Sequence, residues 1–143
     1  MQNRRKARAG YALENHLEAI FQAYDIIYER EAVTENRSKP DFIFPGANEY
    51  HDAKFPTDNL IMLGAKSSCK DRWRQVLSEA ERIKKKHLLT LEPGISTMQT
   101  NEMKSAGLRL VLPAAIHDSY QESQCEWLLE VNSFLGLVRQ KQA

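Results

Sequence analysis

The chain has 143 residues, enough for one domain around one hydrophobic core. Its 42% apolar and 27% charged residues are those of an ordinary globular protein, which excludes collagen-like, low-complexity and wholly disordered chains. A formal net charge of +1 speaks against a protein that coats nucleic acid indiscriminately, and no apolar run approaches the ~20 residues that cross a bilayer.

The first predicted element is a helix from about Tyr11 to Tyr24, with Leu13, Leu17, Ile20 and Phe21 on one buried stripe and Glu14 and Glu18 beside it. Residues 1–8 precede it as a basic segment, expected to be flexible. Asp25-Ile-Ile-Tyr-Glu-Arg-Glu reads as a strand, and after a polar turn Pro40 leads into a second, Asp41-Phe-Ile-Phe, ended by Pro45-Gly46. The stretch from Ala47 to Asn59 is irregular and reads as a loop with a short strand around Tyr50 to Lys54. Leu60-Ile-Met-Leu-Gly-Ala-Lys66 has the continuous apolar character of a strand buried on both faces. A helix is predicted from Lys70 to Lys85, with Trp73, Val76, Leu77, Ala80 and Ile83 inward. Then come a strand over His87–Leu91, a short helix over Thr97–Ser105 closed by Gly107, and a strand over Leu108–Leu112 stopped by Pro113. A last helix from Tyr120 to Arg139 carries Trp127, Leu128, Val131, Phe134, Leu135 and Val138. The order α-β-β-β-α-β-α-β-α, without repeats or long linkers, predicts a single α/β domain with a mixed central sheet and helices on both faces.

Cys69 and Cys125 have no CxxC or metal-type spacing and read as free thiols. The basic start, Met1-Gln-Asn-Arg-Arg-Lys-Ala-Arg, is followed by no apolar segment of a secretory signal, so a cytoplasmic location is expected. Basic residues cluster at Arg4, Arg5, Lys6 and Arg8, at Lys66, Lys70, Arg72 and Arg74, and at Lys84 to Lys86. A solvated face is the plain reading of such runs, above all for Lys84 to Lys86. Local basic patches on a near-neutral chain also suit selective phosphate contacts.

Hydrolysis of a phosphodiester needs a divalent metal held by carboxylates and a cation near the attacking water or the phosphate. Asp41 opens one strand after Pro40, and Lys66 closes the next strong one. Pro40-Asp41 with Lys66 resembles the PD-(D/E)xK pattern of nucleases, whose commonest form implies an acid two residues before the lysine, but here that position is Gly64. Glu79, three residues after Val76 and four before Ile83, borders the buried stripe of the predicted helix and can supply the missing carboxylate from there. Glu81 turns away. Asp41 alone would read as a turn residue, Lys66 as a snorkelling strand end, and Glu79 as a surface partner of Arg82. The set taken together points to chemistry.

Lys39-Pro-Asp-Phe-Ile-Phe-Pro45, the block Leu63-Gly-Ala-Lys-Ser-Ser-Cys-Lys-Asp-Arg-Trp-Arg-Gln75, and Glu79 resemble the catalytic domain of EcoRII-type restriction endonucleases, of the PD-(D/E)xK nuclease superfamily. Arg8 to Glu18 is similar to the first helix of that domain. His87 to Ser96 and Leu108 to Pro113 resemble its later strands. The resemblance implies a restriction-endonuclease-like core in which Asp41 and Glu79 bind Mg²⁺, with Lys66 as the catalytic lysine and Tyr50 as a further member of the site. It also implies that Lys70, Asp71 and Arg72 enter the major groove and read C·G pairs, where Arg and Lys donate to guanine and Asp accepts from cytosine.

Arg72 and Arg74 at a predicted helix start oppose the helix dipole, which suits an external anion. Trp73 reads as core, Glu14 and Glu18 as a solvated face, and the four histidines as structural. The expected function is Mg²⁺-dependent cleavage of double-stranded DNA at a short CCWGG or CCNGG site by a homodimer, alongside a cognate DNA methyltransferase. A DNA-binding remnant without activity, or a repair or mobile-element nuclease on the same core, are the alternatives.

Overall fold

The computed structural model describes residues 2–143, without the side chains of residues 2–11, Asn36, Lys70 and Asp71. Its strands are β1 (Glu29–Arg30), β2 (Phe42–Phe44), β3 (Ile61–Lys66), β4 (Lys86–Thr90), β5 (Leu108–Leu112) and β6 (Leu129–Glu130). They form one sheet in sequence order. The first three pair antiparallel and the last four pair parallel, so the sheet is mixed, as expected. The helices are α1 (Gln2–Ala23), α2 (Ala47–His51), α3 (Thr97–Ser105), α4 (Glu122–Cys125) and α5 (Val131–Gln142). Among the described residues no helix is long and apolar enough to cross a membrane.

Alternation along the interior strands divides the core in two. Phe42, Phe44, Ile61 and Leu63 face one side, where Leu17 and Phe21 of α1 and Phe134, Leu135 and Val138 of α5 cover them. Ile43, Met62, Leu88 and Leu110 face the other, under Trp73, Val76 and Met103. Burial on both faces explains why β3 reads as one unbroken apolar run.

The prediction for Thr97–Ser105 is met to the residue. Ser96 caps this helix by accepting from the Gln99 N–H at 3.2 Å. Gly107 stops it at φ +81°, where an added Cβ would lie 2.8 Å from the Lys84 carbonyl oxygen.

Five expectations need correction. The first helix begins at Gln2, so the backbone of residues 2–8, expected to precede it as a flexible segment, is part of α1. The strand predicted over residues 25–31 is reduced to Glu29–Arg30. Tyr50 lies in the short helix α2, followed by a 3₁₀ turn at Thr57–Asn59, where a loop with a short strand was expected. The α-helix predicted over Lys70–Lys85 is a 3₁₀ helix ending at Ser78. The single last helix is α4, then β6, then α5. Here the apolar residues serve both faces of the sheet: Leu128 packs with Met103, whereas Phe134, Leu135 and Val138 pack with α1. One straight helix cannot bury both sets. The break is held by Gln124, whose Nε2 donates to the Ile95 carbonyl and to Thr100 Oγ1, both at 2.9 Å.

Candidate active site

The antiparallel register of β2 and β3 pairs Phe42 with Leu63. One step beyond, Asp41 stands across from Gly64. Its carboxylate Oδ2 accepts the Ala65 N–H at 2.7 Å, which fixes one oxygen and leaves the other available. Asp41 shares the face of Ile43, and Lys66 shares the face of Met62, so both belong to the side covered by the 3₁₀ helix. Burial raises the pKa of Asp41, while the Ala65 N–H and the Lys66 ammonium pull it down.

Gly64 stands at the position two before the lysine, and the structure shows why it holds no acid. A Cβ there would meet Val76 Cγ2 at 3.3 Å and Leu88 Cδ1 at 3.4 Å. The space a carboxylate would take is filled by the 3₁₀ helix.

The candidate acid, Glu79, stands at the end of that same helix. Trp73, Val76 and Glu79 are three apart, and a 3₁₀ helix stacks every third side chain on one line. Glu79 follows the last turn in extended conformation (φ −89°, ψ 148°), still on the inward side. Burial first, and then the charge of Asp41, push its pKa up to about 7; Lys66 and Lys86 act in the opposite direction. Asp41, Lys66 and Glu79 therefore lie within one electrostatic neighbourhood. Glu79 reaches it from a 3₁₀ end, not from the α-helix that the sequence suggested.

Tyr50 is 3% exposed. Its hydroxyl donates to Glu35 Oε1 at 2.5 Å and accepts the Arg82 N–H at 3.0 Å, so it is taken up by the turn behind Glu79. Burial and the Glu35 carboxylate raise its pKa well above the usual phenol value. Arg82 makes no pair with Glu79. Its guanidinium donates to the carbonyls of Glu49, Tyr50, Asp52 and Phe55 and so closes the loop after α2.

Arg72 is exposed and donates to the Ser68 carbonyl at 2.9 Å. Arg74 pairs with Glu102 of α3 and lies over the Trp73 ring at 4.4 Å. Trp73 itself is 2% exposed and is core, as predicted. Lys70 and Asp71, expected to read bases, have side chains outside the described residues, as does the basic cluster Arg4 to Arg8.

Some contributors were not read from the sequence. Glu14 is not a solvated residue: its side chain is 12% exposed and bridged to Arg30 at 3.3 Å. Burial and then the charge of Asp41 raise its pKa, which puts it at the border of the site. Glu92 accepts from Ser68 Oγ and Cys69 Sγ, tying down the segment that leads out of Lys66. Lys86, read as part of a solvated run, is 5% exposed. Its one sequence signal was that it stands two residues before Leu88 on a strand, hence on the same buried face.

Among the described residues no three His, Cys, Asp or Glu side chains gather as a metal site. Mg²⁺ needs only one or two carboxylates and otherwise keeps water. Two half-buried carboxylates, of which Asp41 raises the proton affinity of Glu79, fit such an ion, since it would offset their repulsion. An apolar groove of about 790 Å³ lies elsewhere, lined by Leu13, Leu17, Leu89 and Val131, and none of the three site residues borders it.

The profile described as "EcoRII C terminal" matches residues 1–135. This chain belongs to the EcoRII C-terminal family. The type II restriction enzyme EcoRII of Escherichia coli is 47% identical over 135 residues, which cover 94% of this chain and 33% of that protein. Two structures of Ecl18kI, described as metal-depleted and in complex with uncleaved DNA or uncleaved, modified DNA, superpose with TM-scores of 0.82 and 0.84. Each is 22% identical and covers 98% of this chain and 47% of the other. At that identity the likeness shows the fold, a restriction-endonuclease-like core. The chain spans less than half the length of each of these relatives.

Proposed function

We propose that this domain hydrolyses double-stranded DNA as the catalytic domain of a type II restriction endonuclease, at a short CC/GG-containing site of the CCWGG or CCNGG type, with Mg²⁺. The observation that carries the reading is the Asp41–Glu79 carboxylate pair beside Lys66, in a chain of the EcoRII C-terminal family.

Asp41 and Glu79 would hold the metal. When bound, Mg²⁺ supplies charge neutralisation at the phosphate and lowers the pKa of its water. The Ala65 N–H keeps the Asp41 carboxylate in one orientation, so little reorganisation is needed on loading. Lys66 places a fixed positive charge where negative charge develops on the phosphate oxygens. Tyr50 supports the site through the backbone that follows Glu79.

Lys70, Asp71, Arg72 and Arg74 would face the major groove. Arg72 and Arg74 would exchange their present partners, a carbonyl and an exposed carboxylate, for DNA. An exposed ion pair is worth only about 0–1 kcal/mol, so the exchange is cheap. Each bidentate hydrogen-bonded pair with a base is worth about 1–3 kcal/mol of discrimination. A near-palindromic site is matched by a two-fold homodimer. A DNA methyltransferase of the same specificity would protect the host's own sites.

The test is a plasmid carrying CCWGG and CCNGG sites, incubated with protein, with and without Mg²⁺. Discrete fragments are expected only with metal, and at least ~100-fold less product from Asp41→Ala or Lys66→Ala. A site-specific gel shift without cutting would replace this reading with a binding module. Smearing unrelated to any motif would replace it with a non-specific nuclease.

A further inference from the structure

Glu79 is followed at once by a strained turn. Ala80 has φ +49°, in the left-handed region that a residue with a Cβ enters at a cost of about 1–2 kcal/mol. Its side chain is fully buried, so the turn is not a surface accident. Something must hold it.

Lys86 does much of this. Its Nζ donates to the Ala80 carbonyl at 2.8 Å and to the Ile83 carbonyl at 2.5 Å. The lysine is anchored at the start of β4, where its own N–H donates to the Gly107 carbonyl at 2.8 Å. From the opposite side Thr34 Oγ1 accepts the Ala80 N–H at 3.3 Å, and Tyr50 Oη accepts the Arg82 N–H. The residue after Glu79 is thus clamped at both its N–H and its C=O.

An ammonium carries three donors, and this one meets two carbonyls of a single turn, so the Lys86 side chain fixes the backbone that directly follows Glu79.

We propose that Lys86 is a positioning residue for metal binding: it pins the Ala80 turn through two carbonyls and so holds the backbone that presents Glu79 to the site. This rests on the reading of Asp41 and Glu79 as the metal-binding pair. Lys86 touches neither DNA nor metal and acts through Glu79.

The experiment is Mn²⁺ titration of the DNA-free protein by calorimetry at pH 8, on wild type, Lys86→Arg, Lys86→Gln and Lys86→Met, with Asp41→Ala as control. Outer partners of metal ligands typically contribute about 10–100-fold to affinity. Mn²⁺ affinity is therefore expected to fall at least ~10-fold in Lys86→Gln and Lys86→Met, with Lys86→Arg recovering most of it. A DNA-binding control, the Kd for a site-containing duplex in Ca²⁺, is expected to change less than about 3-fold, because the recognition segment is untouched. Unchanged Mn²⁺ affinity in Lys86→Gln would overturn the proposal. So would a loss of DNA and Mn²⁺ binding in equal proportion, which marks a purely structural role. Should Lys86→Met lose its cooperative thermal melt, Lys86→Gln decides, since it can keep one carbonyl bond. Wild type whose Mn²⁺ binding is unaffected by Asp41→Ala would instead sink the metal-site reading, a result separable from every Lys86 outcome.

Discussion

A carboxyl group taken out of water beside another carboxylate keeps its proton to higher pH. For Glu79 the pKa is about 7 in the folded chain against the ordinary 4.5. Between those values the folded state binds more protons than the unfolded state, so stability falls as pH rises through that window and levels off above it. The full shift would correspond to about 3 kcal/mol, and water on the open side of the site reduces this to on the order of 1–2 kcal/mol. Urea melts of metal-free protein are expected to show that loss between pH 5 and pH 8 in wild type, and a markedly smaller one in Glu79→Gln. A slope unchanged by Glu79→Gln would show that another group carries it. If Asp41 and Glu79 hold the metal as proposed, added Mg²⁺ should restore stability at pH 8 in wild type and not in Glu79→Gln, because the cation would offset the repulsion between the two carboxylates.

At the scale of elements, the 3₁₀ helix over Lys70–Ser78 decides which residue can serve as the proposed second acid. It packs Val76 over Gly64 and closes the place two before Lys66, then delivers Glu79 three residues later. The two features are one device. Gly64→Glu is therefore expected not to rescue cleavage in Glu79→Ala, although it restores the commoner spacing on paper. It is also expected to cost more than the ~1–3 kcal/mol of simple overpacking, since a carboxylate would be driven against Val76 and Leu88. Thermal melts of the single variant and plasmid cleavage by the double variant check both statements. Recovery of cutting in the double variant would mean that the helix yields.

For the whole molecule, if the domain binds DNA as proposed, a net charge of +1 limits how tightly DNA without the site can be held. Binding to such DNA is expected at Kd values of about 10⁻⁴–10⁻⁶ M at physiological salt, against about 10⁻⁸ M or tighter for the cognate duplex. Fluorescence anisotropy over a range of salt concentrations measures both. The specific affinity should fall with salt as well, because Lys70, Arg72 and Arg74 would displace counterions, but the gap between the two duplexes should persist. Near-equal affinities would remove the case for base reading by the segment after Lys66.

Much of the framework was legible in the residues alone. The apolar run ending at Lys66, the strand Leu108–Leu112, the capped helix Thr97–Ser105 and the turn at Gly107 are local patterns, and local physics settles them: alternation, a capping hydroxyl, a positive φ. The positions of Asp41 and Lys66 are legible for the same reason, Asp41 just before β2 and Lys66 at the close of β3. The rest depended on packing across the sheet. Spacing told that Trp73, Val76, Ala80 and Ile83 seek burial, but three-residue and four-residue periods are hard to separate over so short a stretch, and packing against β3 and β4 chose the tighter helix. Spacing likewise could not tell that Leu128 and Phe134 are buried on opposite faces, which is what splits the last helix. Lys86 shows the limit most plainly. Within a run of lysines it looks solvated, and only the fold brings the two carbonyls of the Glu79 turn within its reach. Chain position singles out Asp41 and Glu79 separately, but the repulsion that joins them acts through space, and only the closed structure determines it.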